Sequence, residues 1–419
     1  MGIMVNNRQL FQQIRILDPI SQIDRVSDIL LNQGIITEIS DQIISHDEKT
    51  EIIDGKGLII APALVDLYSQ SGEPGDEERE TLKSLTEASQ AGGFSRVGIL
   101  PNTNPVIDNP SVVSWIKQKT AHNPTQFYIW GALTQNLAGA IIAPLAELAE
   151  AGVIGFTDNR PHSNLQLVRK LLEYAQPFNL PVALVPTNIE LRGNGVIRES
   201  RTSIRLGLVG NPDIAETIAI ASLLELVSLT KTPIHLMRIS TARGVQLIKQ
   251  AKENNLPVTA SVNWHHLILN TEIIASYNPN LKFEPPLGTE IDRIALVQGI
   301  KNNIIDSIAV DHTPYTYEEK TVAFAQAPQG SIGLELILPL LWENLVITGE
   351  LSALELWRSL SINPLKCLKQ EPMGIQVGKP AELVLFSPQQ SWMVTPSQLK
   401  SLSFNTYWLD QQINGKLIL

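Results

Sequence analysis

A parallel (β/α)8 barrel of the TIM type, carrying a small β-domain built from both chain termini, is the α/β architecture this sequence predicts. Three observations lead there. The chain has 419 residues, enough for one large domain or two moderate ones. From about residue 59 short apolar runs alternate with helical stretches, and eight such runs can be counted, the pattern of a parallel sheet closed on itself. Both ends, by contrast, are rich in β-branched residues and turn signals.

The N-terminal strands are "LFQQIRILDP", "SDILLNQGIITEIS" and "TEIIDGKGLIIAP", with turns at Asn32-Gln33-Gly34 and Asp54-Gly55-Lys56-Gly57. The barrel begins in "GLIIAPALVDLYS" and continues through "SRVGILPN", "QFYIWGAL", "VIGFTDN", "LPVALVPTN", "TPIHLMRIS", "LPVTASVN" and "DSIAVDHTP". Helices such as "NLQLVRKLLEYAQ" and "DIAETIAIASLLELVSLT" separate them, with apolar residues at three- and four-residue spacing. The chain closes on "AELVLFSP", "SWMV" and "INGKLIL", where Asn414-Gly415 signals a hairpin turn. Chain ends often lie close together, so residues 1–58 and 374–419 are expected to share one β-domain, with 59–373 forming the barrel.

Hydrophobic residues make up 43% of the chain and charged ones 18%, an ordinary soluble composition. A formal charge of -10 and the lack of any basic run argue against nucleic-acid binding. The single cysteine, Cys367, excludes an internal disulfide, fits a reducing cytoplasm and reads as a buried apolar residue. The N-terminus "MGIMVNNRQLFQQIRILDP" lacks the apolar core of a signal peptide, and no stretch is long enough to cross a membrane. Met1-Gly2 resembles the start of a myristoylation signal, but Asn6 stands where Ser or Thr is needed.

Active-site groups of such barrels sit at the C-terminal ends of strands. There the sequence places Tyr68, Gln70, Asn102, Asp158, Asn159, Val185, Arg238, Asn263, Glu284, Asp311 and His312. Alternate residues of a strand point to one side, so Tyr68 and Gln70 project together, where paired histidines would hold a metal. Neither is a good ligand for a catalytic divalent cation. Of the histidines, His46 and His122 lie in polar connections, and His235, three residues before Arg238, is expected to face away from it. His162 and His312 are too few for a site, and "GDEERET" reads as a solvated helix start.

Long ordered segments now carry a resemblance. "APALVDLYSQSGEPGDEERETLKSLTEASQAGGFSRVGILPNTNPVID", "GVIGFTDNRP", "HLMRISTARGVQLIKQAKENNLPVTASVNWHHLIL", "FEPPLGTEIDRIALVQGI", "DSIAVDHTPYTYEEK" and "MGIQVGKPAELVLFSP" resemble the dihydroorotase family of amidohydrolases over nearly the whole chain. The resemblance implies that the family's metal-ligand positions are occupied by Tyr68, Gln70, Val185 and Arg238, and that the acidic pair is half kept as Asp158-Asn159. It implies that Gly72 and Gly288 stand where the family has substrate-binding arginines, and Glu284 where it has a substrate-binding Asn. Retained are Asn102 and His312 at substrate-binding positions and Asp311 as the catalytic base; Tyr315 replaces the last His of the final motif, and His265-His266 matches a doublet outside the metal shell.

The family's reaction needs a hydroxide at neutral pH, made by a metal that lowers the pKa of water to about 7. With four imidazole positions changed, no metal cofactor is expected. Non-catalytic members of the family are similar in this way and serve as partner subunits of aspartate transcarbamoylase in pyrimidine synthesis. The resemblance therefore implies a cytoplasmic pseudoenzyme scaffold with that partner, and a homo-oligomer. The alternative is an active dihydroorotase or related cyclic-amide hydrolase, which would require zinc.

Overall fold

The computed structural model describes residues 8–44 and 49–418; Met1, Gly2, Asn6 and His46 lie outside them. The N-terminal strands are β1 (Arg8–Asp18), β2 (Ile23–Asn32), β3 (Ile35–Ser40), β4 (Glu51–Asp54) and β5 (Ile59–Pro62). The expected turns are present: Gln33 and Gly34 have φ 49° and 74°, so Gly34 supplies the left-handed backbone that joins β2 to β3.

The barrel strands are β6 (Leu64–Ser69), β7 (Phe94–Ile99), β8 (Gln126–Gly131), β9 (Gly155–Phe156) and β10 (Val182–Leu184). A two-stranded ribbon, β11 (Ile197–Arg198) with β12 (Gly210–Asn211), interrupts the series. The barrel resumes with β13 (Ile234–Leu236), β14 (Val258–Asn263) and β15 (Ser307–Ala309). All eight barrel strands are neighbours in sequence order and parallel, as the alternating pattern predicts. Last come β16 (Leu383–Met393) and β17 (Gln412–Ile418), which join β5, β1, β2 and β3 in one mixed sheet, with β4 on β1.

Two boundaries differ from the expectation. β5 reads as the start of the first barrel strand, yet it pairs with β1 and β16, and the chain passes into β6 only after Ala63. Apolar content alone cannot divide "GLIIAPALVDLYS", because both sheets bury it. Asn414-Gly415 is not a hairpin turn: it lies inside β17, opposite a register shift in β16 between Ser387 and Ser391. Gly415 has φ 101°, and a Cβ there would stand 2.9 Å from the Phe386 ring, so the glycine serves a bulge and a close approach. The segment between β16 and β17 leaves the sheet, and Val394, Leu399 and Trp408 pack into the barrel's own core.

The seam between β15 and β6 is closed by side chains as well as backbone. Asp66 Oδ1 accepts from Val310 N at 2.8 Å, Ser69 Oγ donates to Asp66 Oδ2 at 2.6 Å, and Gln70 N donates to His312 O at 2.8 Å. Asp66 is wholly buried, and desolvation raises its pKa from 3.8 to about 7 despite these donors. Between those two values the folded protein holds a proton that the unfolded chain has released, so that contribution to stability is whole at low pH and is lost as pH rises through about 7. Asp66→Asn should therefore flatten the stability profile in this window relative to the unsubstituted protein, by up to ~1.4 kcal/mol per pH unit. Urea unfolding at a series of pH values reads this; parallel curves for the two proteins would mean that Asp66 is already ionised below neutrality.

Candidate functional site

The C-terminal strand ends converge on one guanidinium. Arg238, just past β13, donates from Nε to Asp311 Oδ2 at 2.7 Å and from Nη2 to Asp311 Oδ1 at 2.6 Å. Its Nη2 also reaches Asn159 Oδ1 at 2.6 Å, and the group lies 5.6 Å from the centroid of the Tyr68 ring. Asn263 Nδ2 adds a third bond to Asp311, at 3.1 Å. Both charged side chains are less than 10% exposed, and the parallel fork-to-carboxylate geometry is the strong form of such a pair. Burial pulls the Arg238 pKa down, but Asp311 more than offsets it and the net shift is upward, so the cation is permanent.

Backbone conformation brings these groups together. Asn159, Arg238 and Asp311 have φ of 54°, 56° and 51°, the left-handed region that non-glycine residues seldom occupy. Each turns its strand end, and strand alternation no longer fixes where the side chain points. This corrects the expectation for His235, which does not face away. Its Nε2 lies 2.8 Å from Ser261 Oγ, which is 2.7 Å from Tyr68 Oη, and its Nδ1 lies 2.9 Å from Thr259 Oγ1. Burial lowers the His235 pKa to about 3 and raises that of Tyr68, leaving imidazole and phenol neutral. They form a buried polar chain close to the ion pair.

The remaining candidates are engaged elsewhere. Gln70 accepts from Asn102 Nδ2 at 3.0 Å and donates to Thr313 Oγ1 at 3.3 Å, while Val185 packs in the apolar barrel interior. Asp158 accepts from the backbone of Leu133 and Thr134 at 2.8 and 2.9 Å and from Thr134 Oγ1 at 2.5 Å, which fixes the loop after β8. His162 Nε2 stands 3.4 Å from Asp158, and burial lowers its pKa. His312 is buried with both ring nitrogens occupied: Nδ1 lies 3.2 Å from Gly333 N and Nε2 lies 3.1 Å from Glu80 Oε2. Within the folded chain its ring therefore ties the last barrel strand to Glu80 and to Gly333. Glu80 is a correction to the solvated helix start, being fully buried; it also receives Ser401 Oγ and, at 3.1 Å, Leu402 N. His265 packs among Trp264, Phe283 and Trp408, as expected for a residue that fills space.

Glu284 is largely enclosed on one side of the mouth, 3.6 Å from Arg192 and 2.9 Å from Gln329 Nε2; desolvation raises its pKa, and Arg192 and Arg238 act against the rise. The two glycines leave no room for longer side chains. A Cβ at Gly72 would lie 2.3 Å from Asp76 O and 2.5 Å from Glu80 O, and one at Gly288 would lie 2.6 Å from Asp292 Cβ. The side chains at these four positions, a neutral phenol bonded to a serine, an engaged amide, a valine and a guanidinium, do not fit a catalytic divalent cation. Among the described residues no three His, Cys, Asp or Glu side chains gather in a metal-binding cluster.

The parallel eight-stranded barrel with its added β-sheet is the architecture of an amidohydrolase-type barrel. L-hydantoinase (dihydropyrimidinase) from Arthrobacter aurescens superposes with a TM-score of 0.85 over 98% of this chain and 93% of its own, at 20% identity, a likeness of fold alone. Residues 57–242 match the family model described as dihydro-orotase-like. A Synechocystis sp. protein named "Probable dihydroorotase-like protein" is 43% identical over 97% of this chain and 98% of its own length. Proteins named dihydroorotase from Ruminiclostridium cellulolyticum and Syntrophus aciditrophicus are 37% and 34% identical, over 95% and 97% of this chain and 93% and 95% of theirs. The chain belongs to the dihydroorotase-like family.

Removing the guanidinium strands a buried carboxylate. Arg238→Ala should cost roughly 3–5 kcal/mol of unfolding free energy, read from denaturant midpoints. An effect below about 1 kcal/mol, the size typical of exposed pairs, would mean that water already reaches Asp311.

Proposed function

We propose that this chain is a dihydroorotase homologue without the family's metal-dependent hydrolytic activity, and that it acts as a partner subunit of aspartate transcarbamoylase in pyrimidine synthesis. The observation that carries the first half is the Arg238–Asp311 pair. In this reading the family's base is consumed in a bidentate bond, and a permanent cation stands where an imidazole would bind metal. Asp311, Asn102 and His312 are then vestiges of the family site, kept because each holds part of the mouth together. Gly72 and Gly288 support the same reading, since backbone atoms at the first and the Asp292 side chain at the second crowd the positions from which substrate-binding arginines would extend.

The choice of partner rests on the resemblance to non-catalytic family members. Its physical basis is economy: a barrel whose mouth is internally paired retains its outer surface for docking.

The second reading, an active dihydroorotase or a related cyclic-amide hydrolase, is favoured by the names of the relatives at 34–37% identity. Dihydroorotate hydrolysis with added zinc, together with metal analysis of the purified protein, separates the two. Under the first reading there is no turnover, and a strong chelator leaves the thermal midpoint unchanged, because a ligand stabilises only a state that binds it.

The double substitution Tyr68→His with Gln70→His should also remain inactive, since Arg238 and Val185 still occupy two positions and no arginine extends from residue 72 or 288. Turnover in that variant would overturn the assignment of positions. The positive test is recovery of aspartate transcarbamoylase with the tagged chain from its native cell; failure to recover it under conditions that preserve complexes would reject the partnership.

A further inference from the structure

A cleft of about 330 Å³ lies at the seam between the β-domain and the barrel. Pro19 and Ile20 line it from the turn between β1 and β2, Arg358, Ile362 and Lys366 from the helical turns Arg358–Ile362 and Asn363–Cys367, and Pro372 from the link to β16. Clefts of this size at the junction of two units are common places for small molecules. Asp18 holds the outer parts together: it accepts from Ile20 N at 3.0 Å, Ser21 Oγ at 2.6 Å and Ile375 N at 3.3 Å, so one carboxylate fastens both the turn and the link.

The lining is apolar apart from two cations, and no acidic residue joins it. Arg358 uses only Nη2 within the protein, in long bonds to Ile300 O at 3.3 Å and Lys301 O at 3.5 Å. Its Nε is buried without a partner. Among the described residues no carboxylate stands within ion-pair distance of Arg358 or of the exposed Lys366. Glu355, one turn before Arg358, is occupied with Ser352 N at 2.7 Å.

Burial accordingly pulls the Arg358 pKa down, with Glu355 alone acting against it. Arg15, Arg79, Arg238 and Arg293, each bonded to a carboxylate, are all shifted upward. Arg358 has thus lost hydration without gaining a counter-charge. Its own turn, Arg358–Ile362, is π-helical, a local widening often found at functional sites.

We infer that this cleft binds a small organic anion, whose carboxylate or phosphate meets Arg358 and Lys366 while its apolar body rests on Ile20, Ile362 and Pro372. The planar guanidinium suits an oxyanion, and Lys366 adds a point charge at the rim. In a chain of -10, two unopposed cations are a local exception to a surface that repels anions. Ile300 and Lys301 end the helix that leads into β15, so the cleft lies where the barrel strands begin, at the end opposite the mouth. The inference is independent of whether the mouth is catalytic.

Calorimetric titration of the full chain with benzoate, phenyl phosphate, inorganic phosphate and neutral benzyl alcohol tests it. Benzoate or phenyl phosphate should bind at about 1 mM or tighter and raise the thermal midpoint. Inorganic phosphate should bind roughly ten-fold more weakly or less, and benzyl alcohol not at all. Arg358→Gln and Lys366→Glu should each weaken binding of the organic anion roughly ten-fold or more. Lys366→Glu, at an exposed position, keeps the test decisive if Arg358→Gln unfolds, and circular dichroism reads the fold of both. Lys170→Glu, the same charge change on the exposed side of the helix Leu165–Ala175, should leave binding unchanged. The preference between benzoate and phenyl phosphate identifies the anionic group that is held. Absence of binding by both organic anions, or undiminished binding by Lys366→Glu, overturns the proposal. So does an equal loss in Lys170→Glu, or equal affinity for inorganic phosphate or benzyl alcohol.

Discussion

The bidentate bond between Arg238 and Asp311 is the interaction on which the barrel mouth depends. Neither charge is tolerable there alone, because a buried ion without a partner loses its hydration and regains nothing. Together they draw in Asn159 and Asn263 by hydrogen bonds and bring the guanidinium close to the Tyr68 ring. The ends of β6, β9, β13, β14 and β15 thus meet at a fixed cation. Arginine suits this place better than lysine would, since its planar fork can bond the carboxylate twice and still reach an amide.

Around that pair, other charged groups of the mouth are also set against one another. Arg198 reaches Ser240 Oγ at 2.6 Å, and the same hydroxyl bonds Glu216. Arg192 faces Glu284. Three arginines, Arg192, Arg198 and Arg238, are thus set against three carboxylates, Glu216, Glu284 and Asp311. On the far side, Glu80 joins His312 to Ser401 and Leu402, and Asn405 Nδ2 bonds Thr313 O at 3.0 Å. The segment between β16 and β17 is thereby fastened to the loops of the last barrel strand.

Much of this was legible from residue order. The eight barrel strands appear in the expected order because each is a short apolar run between helices, and a strand buried on both faces must be apolar throughout. The occupants of the strand ends were legible too, since such positions follow directly from where the apolar runs stop. The pairing of Arg238 with a carboxylate could be anticipated from burial and charge alone. Glu80 could not: within "GDEERET" it looks like any other acidic residue, and only the approach of a segment more than 300 residues later buries it. The inward-facing His235 was likewise hidden, because alternation gives the wrong side once a strand end turns left-handed.

The sequence by itself determined the class of fold and the identity of the groups at the mouth, because periodicity, apolar content and side-chain chemistry are local properties of the chain; the family was legible through the resemblance of its long ordered segments. Tertiary structure alone decided how those groups are used. Whether Asp311 is free or consumed, whether His312 faces a ligand or a buried glutamate, and whether Asn414-Gly415 turns the chain or bulges a strand all depend on neighbours distant in sequence. A hydrogen bond or an ion pair has no signature in either partner's own segment, and so it becomes visible only when folding sets the two a few ångströms apart.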